Sequence, residues 1–321
     1  VTDKGPTIRL AHVPGAQGDN VLLGQRGVDQ LPDDRRPALL VSFFYLEPFL
    51  RNRANYAYRD WALDSGAFSA HNSGVEIDLQ EFTDTAARLL EEDPTLTEVF
   101  ALDVIGDHEA SLRNAERMWE QGVPAIPTYH RGSPEDALLH LAENYPKIAL
   151  GGVALERVGV KLPWASECFA RVWPKRIHGF GFGGKKTLMA LPWHSVDATN
   201  WEVGPCRFGQ WRSFGTMSVR GSDQNLRAEV EWHLELERKA RARWKKEMEK
   251  LDASDAPALR MAVVETGKSR GRQLSAFGGL SGPVLRLAVT PLPSDKTKEH
   301  KYRKALGEGE NETEDTTDGE E

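Results

Sequence analysis

From Ala38 onward the chain repeats one rhythm: a short apolar run, a polar or glycine-bearing turn, then a stretch with apolar residues at helical spacing. The apolar runs read as strands that end near Phe44, Asp64, Asp103, Tyr129, Val153, Phe182 and Ala198. Between them, Leu79–Glu92 places apolar residues at 79, 82, 86, 89 and 90, the period of a helix with one buried face. Asp107–Gln121 opens on an acid and has Gly122 just past its end. Ser133-Pro134-Glu135-Asp136 reads as an N-cap, a proline at the first helical position and acids in the first turn. Pro163–Trp173 and Lys185–Leu191 are shorter helices.

Strands alternating with helices predict a parallel sheet with crossover connections. Seven runs between 37 and 200, with a weaker eighth at Arg207–Phe214, favour a closed (β/α)8 TIM-like barrel, an α/β fold, over a doubly wound open sheet. Residues 1–36 read as an irregular lead-in, rich in Gly, Pro, Asp and Arg. Residues 222–251 predict a long charged helix capped by Ser222-Asp223, with a narrow apolar stripe of Leu226, Val230, Leu234, Leu236, Trp244 and Met248. Its basic end, Arg238 to Lys246, is either a solvated outer face or a nucleic-acid contact. The barrel with this helix spans 37–251, a loosely folded appendage 252–306 and a disordered acidic tail 307–321.

Composition changes this picture little, charge somewhat more. With 40% hydrophobic and 28% charged residues the chain has the profile of an ordinary globular protein. Without the eight acids of residues 307–321 the formal charge moves from −7 to +1, so the acidity belongs to the tail and excludes no polyanionic partner. No run of about 20 apolar residues is present, so no membrane span is expected. The start, Val1-Thr2-Asp3-Lys4-Gly5, has no basic-then-apolar signal pattern. Cys168 and Cys206 suggest neither a disulfide framework nor a metal cluster, so a reducing, cytoplasmic setting is the expectation.

The chemistry gathers where strands stop. Asp64, Asp103 and Asp197 each follow an apolar run, and carboxylates held at the mouth of a barrel suit nucleophilic and acid–base work. Each is also readable as a turn, cap or salt-bridged acid. Gly66, after Ser65, lets backbone approach a flat ligand; Phe68 follows. Asp103 is a bidentate acceptor for the paired N–H donors of a guanine edge. His130 suits a base carbonyl or a proton transfer, or is structural. Gly151-Gly152 exposes backbone groups to a ligand, or packs strand on helix. The run His178 to Lys186 contains a GxGxxG spacing that arrives too late in the chain for a dinucleotide fold, while a phosphate contact at the following helix stays open. Trp193, Trp201 and Trp211 suit base stacking, or belong to the core. Lys185, Lys186, Arg207 and Arg212 suit phosphates.

At Leu63-Asp64-Ser65-Gly66-Ala67-Phe68, Ala101-Leu102-Asp103, Gly151-Gly152-Val153, His178-Gly179-Phe180-Gly181 and Ser195-Val196-Asp197-Ala198-Thr199-Asn200-Trp201 the chain resembles the tRNA-guanine transglycosylase superfamily. It is most similar to the DpdA-type DNA-guanine transglycosylases of phages and bacteria, over about residues 37–215. The resemblance implies a modified (β/α)8 barrel. Asp197 matches the nucleophile and Asp64 the acid–base aspartate. Asp103, His130, Gly151, Gly152, Val153, Ser65, Gly66 and Phe68 fall in the base pocket, and Lys185, Lys186, Arg207, Arg212 and Trp201 on the nucleic-acid side. His130 stands where the tRNA enzymes usually have glutamine. The three-cysteine, one-histidine zinc site of those enzymes is absent from the sequence, and Ala198-Thr199-Asn200-Trp201 replaces their Pro-Thr-Arg. The implied reaction replaces guanine in DNA by a free 7-deazaguanine base, without a cofactor or a membrane, in the host cytoplasm for a phage-borne enzyme. A helper protein is compatible with it. The tRNA version of the reaction, a non-catalytic nucleic-acid-binding barrel and a metal-dependent barrel hydrolase are the alternatives.

Overall fold

The first barrel strand lies where the sequence reads as a lead-in. In the computed structural model, β1 (Thr7–His12) pairs in parallel with β2 (Ala38–Ser42) on one side and β8 (Ser195–Ala198) on the other. The described residues are 5–12, 36–153, 156–202, 210–211, 215–216 and 223–251. The eighth strand was therefore expected at the wrong end. Gln210–Trp211 (β9) instead forms a small antiparallel pair with Gly215–Thr216 (β10), outside the barrel. The reason is visible in Thr7-Ile8-Arg9-Leu10-Ala11-His12: its inward positions carry Arg9 and Ala11, so no apolar run marks it.

Among the described residues, eight parallel strands follow one another around the sheet: β1, β2, β3 (Asp60–Asp64), β4 (Leu96–Val99), β5 (Thr128–His130), β6 (Lys147–Gly151), β7 (Arg176–Gly179) and β8. The seam between β4 and β5 is closed by the parallel bridge of Phe100 with Ile126, with hydrogen bonds from Ala101 N to Ile126 O and from Ile126 N to Val99 O. The (β/α)8 expectation holds. Strands β3 and β8 end where the sequence places them; β4, β6 and β7 stop two to four residues earlier, and Asp103 lies in the loop beyond β4.

Alternation along each strand sorts the side chains. Outward residues such as Ile8, Leu39, Val41, Trp61, Leu63, Ile148, Leu150 and Val196 pack under the helices. Inward residues Leu40, Ala62, Phe100, Ile126 and Ala149, with Phe180 against them, make a separate apolar layer inside the ring. Below that layer the interior is ionic. Arg9 Nη1 donates to Asp60 Oδ1 at 2.7 Å and Nη2 to Glu98 Oε2 at 3.0 Å. Lys147 Nζ donates to Glu98 Oε1 at 2.5 Å and to Ser195 Oγ at 2.9 Å, and Ser195 Oγ meets His178 Nδ1 at 2.8 Å. Asp60, Lys147 and Ser195 each open their strand, so this network plugs the end of the barrel opposite the mouth.

The helices are α1 (Leu46–Asn52), α2 (Ala67–Asn72), α3 (Leu79–Glu92), α4 (His108–Glu120), α5 (Glu135–Asn144), α6 (Val158–Val172), α7 (Lys185–Leu188) and α8 (Asp223–Leu251). Asp78 and Asp107 cap α3 and α4 through Glu81 N and Ala110 N. The third helix starts one residue later than expected, with Pro134 rather than Ser133 at its cap, and α6 begins five residues before Pro163. The long helix α8 packs on the barrel. Leu226, Val230, Leu236, Ala240, Trp244 and Met248 are buried, Glu237 accepts the Ile8 N–H at 2.7 Å, and Arg241 Nε donates to Pro6 O at 3.1 Å. No helix among the described residues is long and apolar enough to cross a membrane. Residues 252–321, with the appendage and the tail, lie outside the described residues.

Candidate active site at the barrel mouth

Each acid singled out in the sequence arrives at the same end of the barrel by a different strand. Asp64 is the last residue of β3, Asp103 follows β4, and Asp197 sits in β8. In a parallel barrel all such C-terminal ends open on one face. Their proximity shows in their electrostatics. Burial first, then the charge of Asp103 and more weakly that of Asp197, push the Asp64 carboxyl up to about 7. Its Oδ2 accepts the Gly66 N–H at 3.1 Å, which opposes the rise.

Asp197 is gripped by the glycine-rich loop that follows β7. The Gly181 N–H donates to its Oδ1 at 2.5 Å, and the Gly183 N–H to its backbone oxygen at 2.9 Å. Gly183 has no room for a side chain: a Cβ there would stand 2.3 Å from Asp197 O and 2.7 Å from Ala198 Cβ. Burial pushes Asp197 up to about 6, with the Gly181 N–H and Lys161 opposing. The GxGxxG run thus spends its Gly181 and Gly183 amides on Asp197, and the helix that follows starts at exposed Lys185 and Lys186. Lys161, on α6, was not singled out. Its Nζ donates to Gly181 O at 2.5 Å and stands 5.2 Å from the centre of the Phe182 ring. Burial lowers its ammonium pKa, and Asp197 works against that fall. A lysine in a first helical turn carries no sequence signal of burial.

Asp103 and His130 form a pair. His130 Nε2 lies 3.2 Å from Asp103 Oδ2, and although burial disfavours the imidazolium, Asp103's hydrogen bond and charge raise the His130 pKa overall. The other oxygen, Asp103 Oδ1, is buried and without a hydrogen-bond partner among the described residues, as are Ser42 Oγ and Thr128 Oγ1 on neighbouring inward positions. Asp103 therefore presents one free acceptor and one shared with His130, not two free ones.

The remaining predicted residues divide. Gly151 ends β6 beside His130, and Gly152 is exposed just beyond. Ser65 is buried and its Oγ accepts the Ala67 N–H at 3.4 Å. Phe68 stands on the rim, 54% exposed, rather than in the pocket. Val153 is a correction: at 1% exposure it belongs to the core under the helices. So is Trp201, 0% exposed, whose indole N–H donates to Ala11 O at 3.0 Å and cannot stack on a nucleic acid without leaving the core; Trp193 is equally buried. Lys185 and Lys186 are exposed at the start of α7, while Arg207 and Arg212 lie outside the described residues.

The Asp64 environment has a stability cost. A carboxyl raised from 3.8 to about 7 in the folded state binds its proton more tightly there than when unfolded, so stability falls as pH rises between those values. Asp64→Asn is expected to raise the melting temperature at pH 8 by several degrees, for on the order of 1–3 kcal/mol, and hardly at all near pH 4. A melting series showing equal shifts at both pH values would contradict this.

No protein-family model and no curated protein matches this chain. Solved structures similar to it include a protein assigned as a fructose-1,6-biphosphate aldolase from Coccidioides immitis, at 12% identity and a TM-score of 0.43, covering 79% of this chain and 93% of that one. The tryptophan synthase alpha-subunit of Pyrococcus furiosus matches at 12% identity and 0.41, covering 73% and 98%. The YdjI aldolase of Escherichia coli K12 matches at 11% identity and 0.35, covering 80% and 94%.

Proposed function

We propose that this protein is an enzyme that exchanges guanine in DNA for a free 7-deazaguanine, with 7-cyano-7-deazaguanine as the incoming base. The observation that carries the reading is the pair of unequal carboxylates at one mouth: Asp197 anchored and pushed up to about 6, Asp64 raised to about 7. Burial pushes both up; the Gly181 N–H and Lys161 favour the ionised form of Asp197, while the charge of Asp103 favours the protonated form of Asp64, the direction that separates a nucleophile from an acid–base group.

In the first displacement an oxygen of Asp197 bonds to C1′ of the target deoxynucleotide, the C1′–N9 bond breaks, and Asp64 supplies the proton that guanine takes away. In the second, Asp64 accepts the N9 proton of the incoming base, N9 bonds to C1′, and the C1′–Asp197 bond breaks. Two inversions restore the configuration, the logic of a retaining glycosidase with a base in place of water. Asp103 Oδ1 is the free acceptor for the N–H edge of either base. The apolar layer of Leu40, Ala62, Phe100, Ile126 and Ala149 closes the floor below the site and keeps bulk water from that side of the ester. The choice of DNA over tRNA rests on the sequence resemblance.

The test is mass spectrometry of nucleosides from DNA incubated with the protein and 7-cyano-7-deazaguanine, beside a matched tRNA reaction and an Asp197→Ala control. Modified deoxynucleoside that vanishes in the control is expected. Product in tRNA alone moves the substrate to tRNA, and product with Asp197→Ala removes the covalent mechanism.

A further inference from the structure

The loop that carries Asp103 past β4 ends in a turn that puts two apolar side chains into solvent. Val104 is 37% and Ile105 45% exposed. The turn is rigid. Asp107 N donates to Val104 O at 3.0 Å, Gly106 takes the positive φ (+83°) required at the third turn position, Val104 N donates to Ser111 Oγ at 2.8 Å, and Ser111 Oγ donates to Asp107 O at 2.8 Å. The base of the same loop is fixed by Asn114 Nδ2 on Leu102 O at 3.0 Å. Single exposed apolar residues are ordinary. A β-branched pair on a backbone held by four such bonds, one residue from a buried unpartnered carboxylate oxygen, is a preformed contact surface.

Its surroundings indicate the partner. β3 and β4 are neighbours, so the turn shares its sector of the rim with exposed Phe68, on the helix after β3. Beyond β7 the rim carries exposed Lys185 and Lys186, which have no ion pair among the described residues. Apolar groups on one side of the mouth and free cations on another complement a nucleic acid whose phosphates run over the lysines while its base stack meets the apolar sector.

We propose that the Val104-Ile105 turn is a wedge that enters the base stack of duplex DNA beside the target nucleotide and fills the space the extruded base leaves. This rests on the base-exchange reading for its substrate. It adds the means by which a paired guanine reaches Asp197, because a base inside a duplex cannot expose C1′ to a carboxylate in a barrel mouth.

The experiment compares wild type with the Val104→Ser/Ile105→Ser double variant on two substrates: a duplex with one target guanine, and the same strand unpaired. Exchange on the duplex is expected to fall by about tenfold or more while exchange on the single strand stays within about twofold, since the unpaired base has little stacking to lose. Equal loss on both substrates, or none on either, overturns the wedge. A second readout needs no chemistry. In the Asp197→Ala background, 2-aminopurine beside the target guanine in the duplex should brighten on binding, and should stay dark when the Val104→Ser/Ile105→Ser changes are added. Brightening without any deazaguanine incorporation by the wild type sinks the exchange reading and keeps the wedge. Incorporation with unchanged duplex preference in the double variant does the reverse. A duplex that stays dark with the Val104-Ile105 turn intact overturns the wedge whatever the reaction.

Discussion

Glu98→Ala is expected to cost about 3–5 kcal/mol of stability, the scale for removing one partner from a buried ion cluster. Glu98 lies inside the barrel between two buried cations, with Arg9 Nη2 on Oε2 at 3.0 Å and Lys147 Nζ on Oε1 at 2.5 Å. Burial alone would raise its pKa, but Lys147 first and Arg9 next hold the carboxyl well below the usual carboxylate range. With a depressed folded pKa, its contribution is complete above the unfolded value of about 4.3 and is lost only as pH falls through the acid range. Alanine leaves Lys147 facing Arg9 across a void, with the Ser195 hydroxyl as its remaining neutral partner. The double variant Glu98→Leu/Lys147→Met removes charge from both sides and is expected to recover much of the loss, because a buried pair replaced by packed apolar groups is often neutral. Urea midpoints of the three proteins decide it: a double variant as weak as Glu98→Ala would show that the network matters through shape rather than charge.

The second large effect falls on rate. Asp64→Asn keeps the size of the side chain and loses proton transfer, so exchange should slow by about 10²–10⁴-fold with folding intact. The pH profile of the wild type gives the sharper sign. The first displacement needs Asp197 ionised and Asp64 protonated, so its rate should climb as pH rises through about 6 and decline above about 7. Asn at position 64 removes the upper limb and leaves the lower one. If the variant retains a falling limb near 7, that limb belongs to another group, with His130, whose pKa is raised by the neighbouring Asp103, the first to consider.

What could be read in the sequence follows from how far a signal reaches along the chain. Asp64 and Asp197 were legible because an acid that stops an apolar run needs only its neighbours to stand out. So was Asp107 as a helix cap, from its place before a periodic segment. β1 was not, because Arg9 occupies an inward position and is neutralised by Asp60 and Glu98, 51 and 89 residues away. Lys147 hides its partner in the same way. The glycine run showed its freedom of backbone but not its target, which is Asp197, 16 residues further on. Trp201 and Val153 erred in the other direction: they lie near mouth residues in sequence, yet packing turns them into the core. Both lie just past the end of a strand, where the chain turns back under the helices, so nearness in sequence to a mouth residue does not place a side chain in the mouth.

The closure of the ring through its earliest strand bears on how the chain is made. Ile8 N is held by Glu237, 229 residues later, and β1 finds its second neighbour only in β8. On a ribosome adding about 5–20 residues per second, β1 waits roughly ten to forty seconds for that strand. Once Asp60 and then Glu98 have been made, Arg9 can meet them while its strand edge toward β8 stays open. The barrel's first strand is thus completed by its last, and the growing barrel presents an unpaired β1 edge until β8 is made.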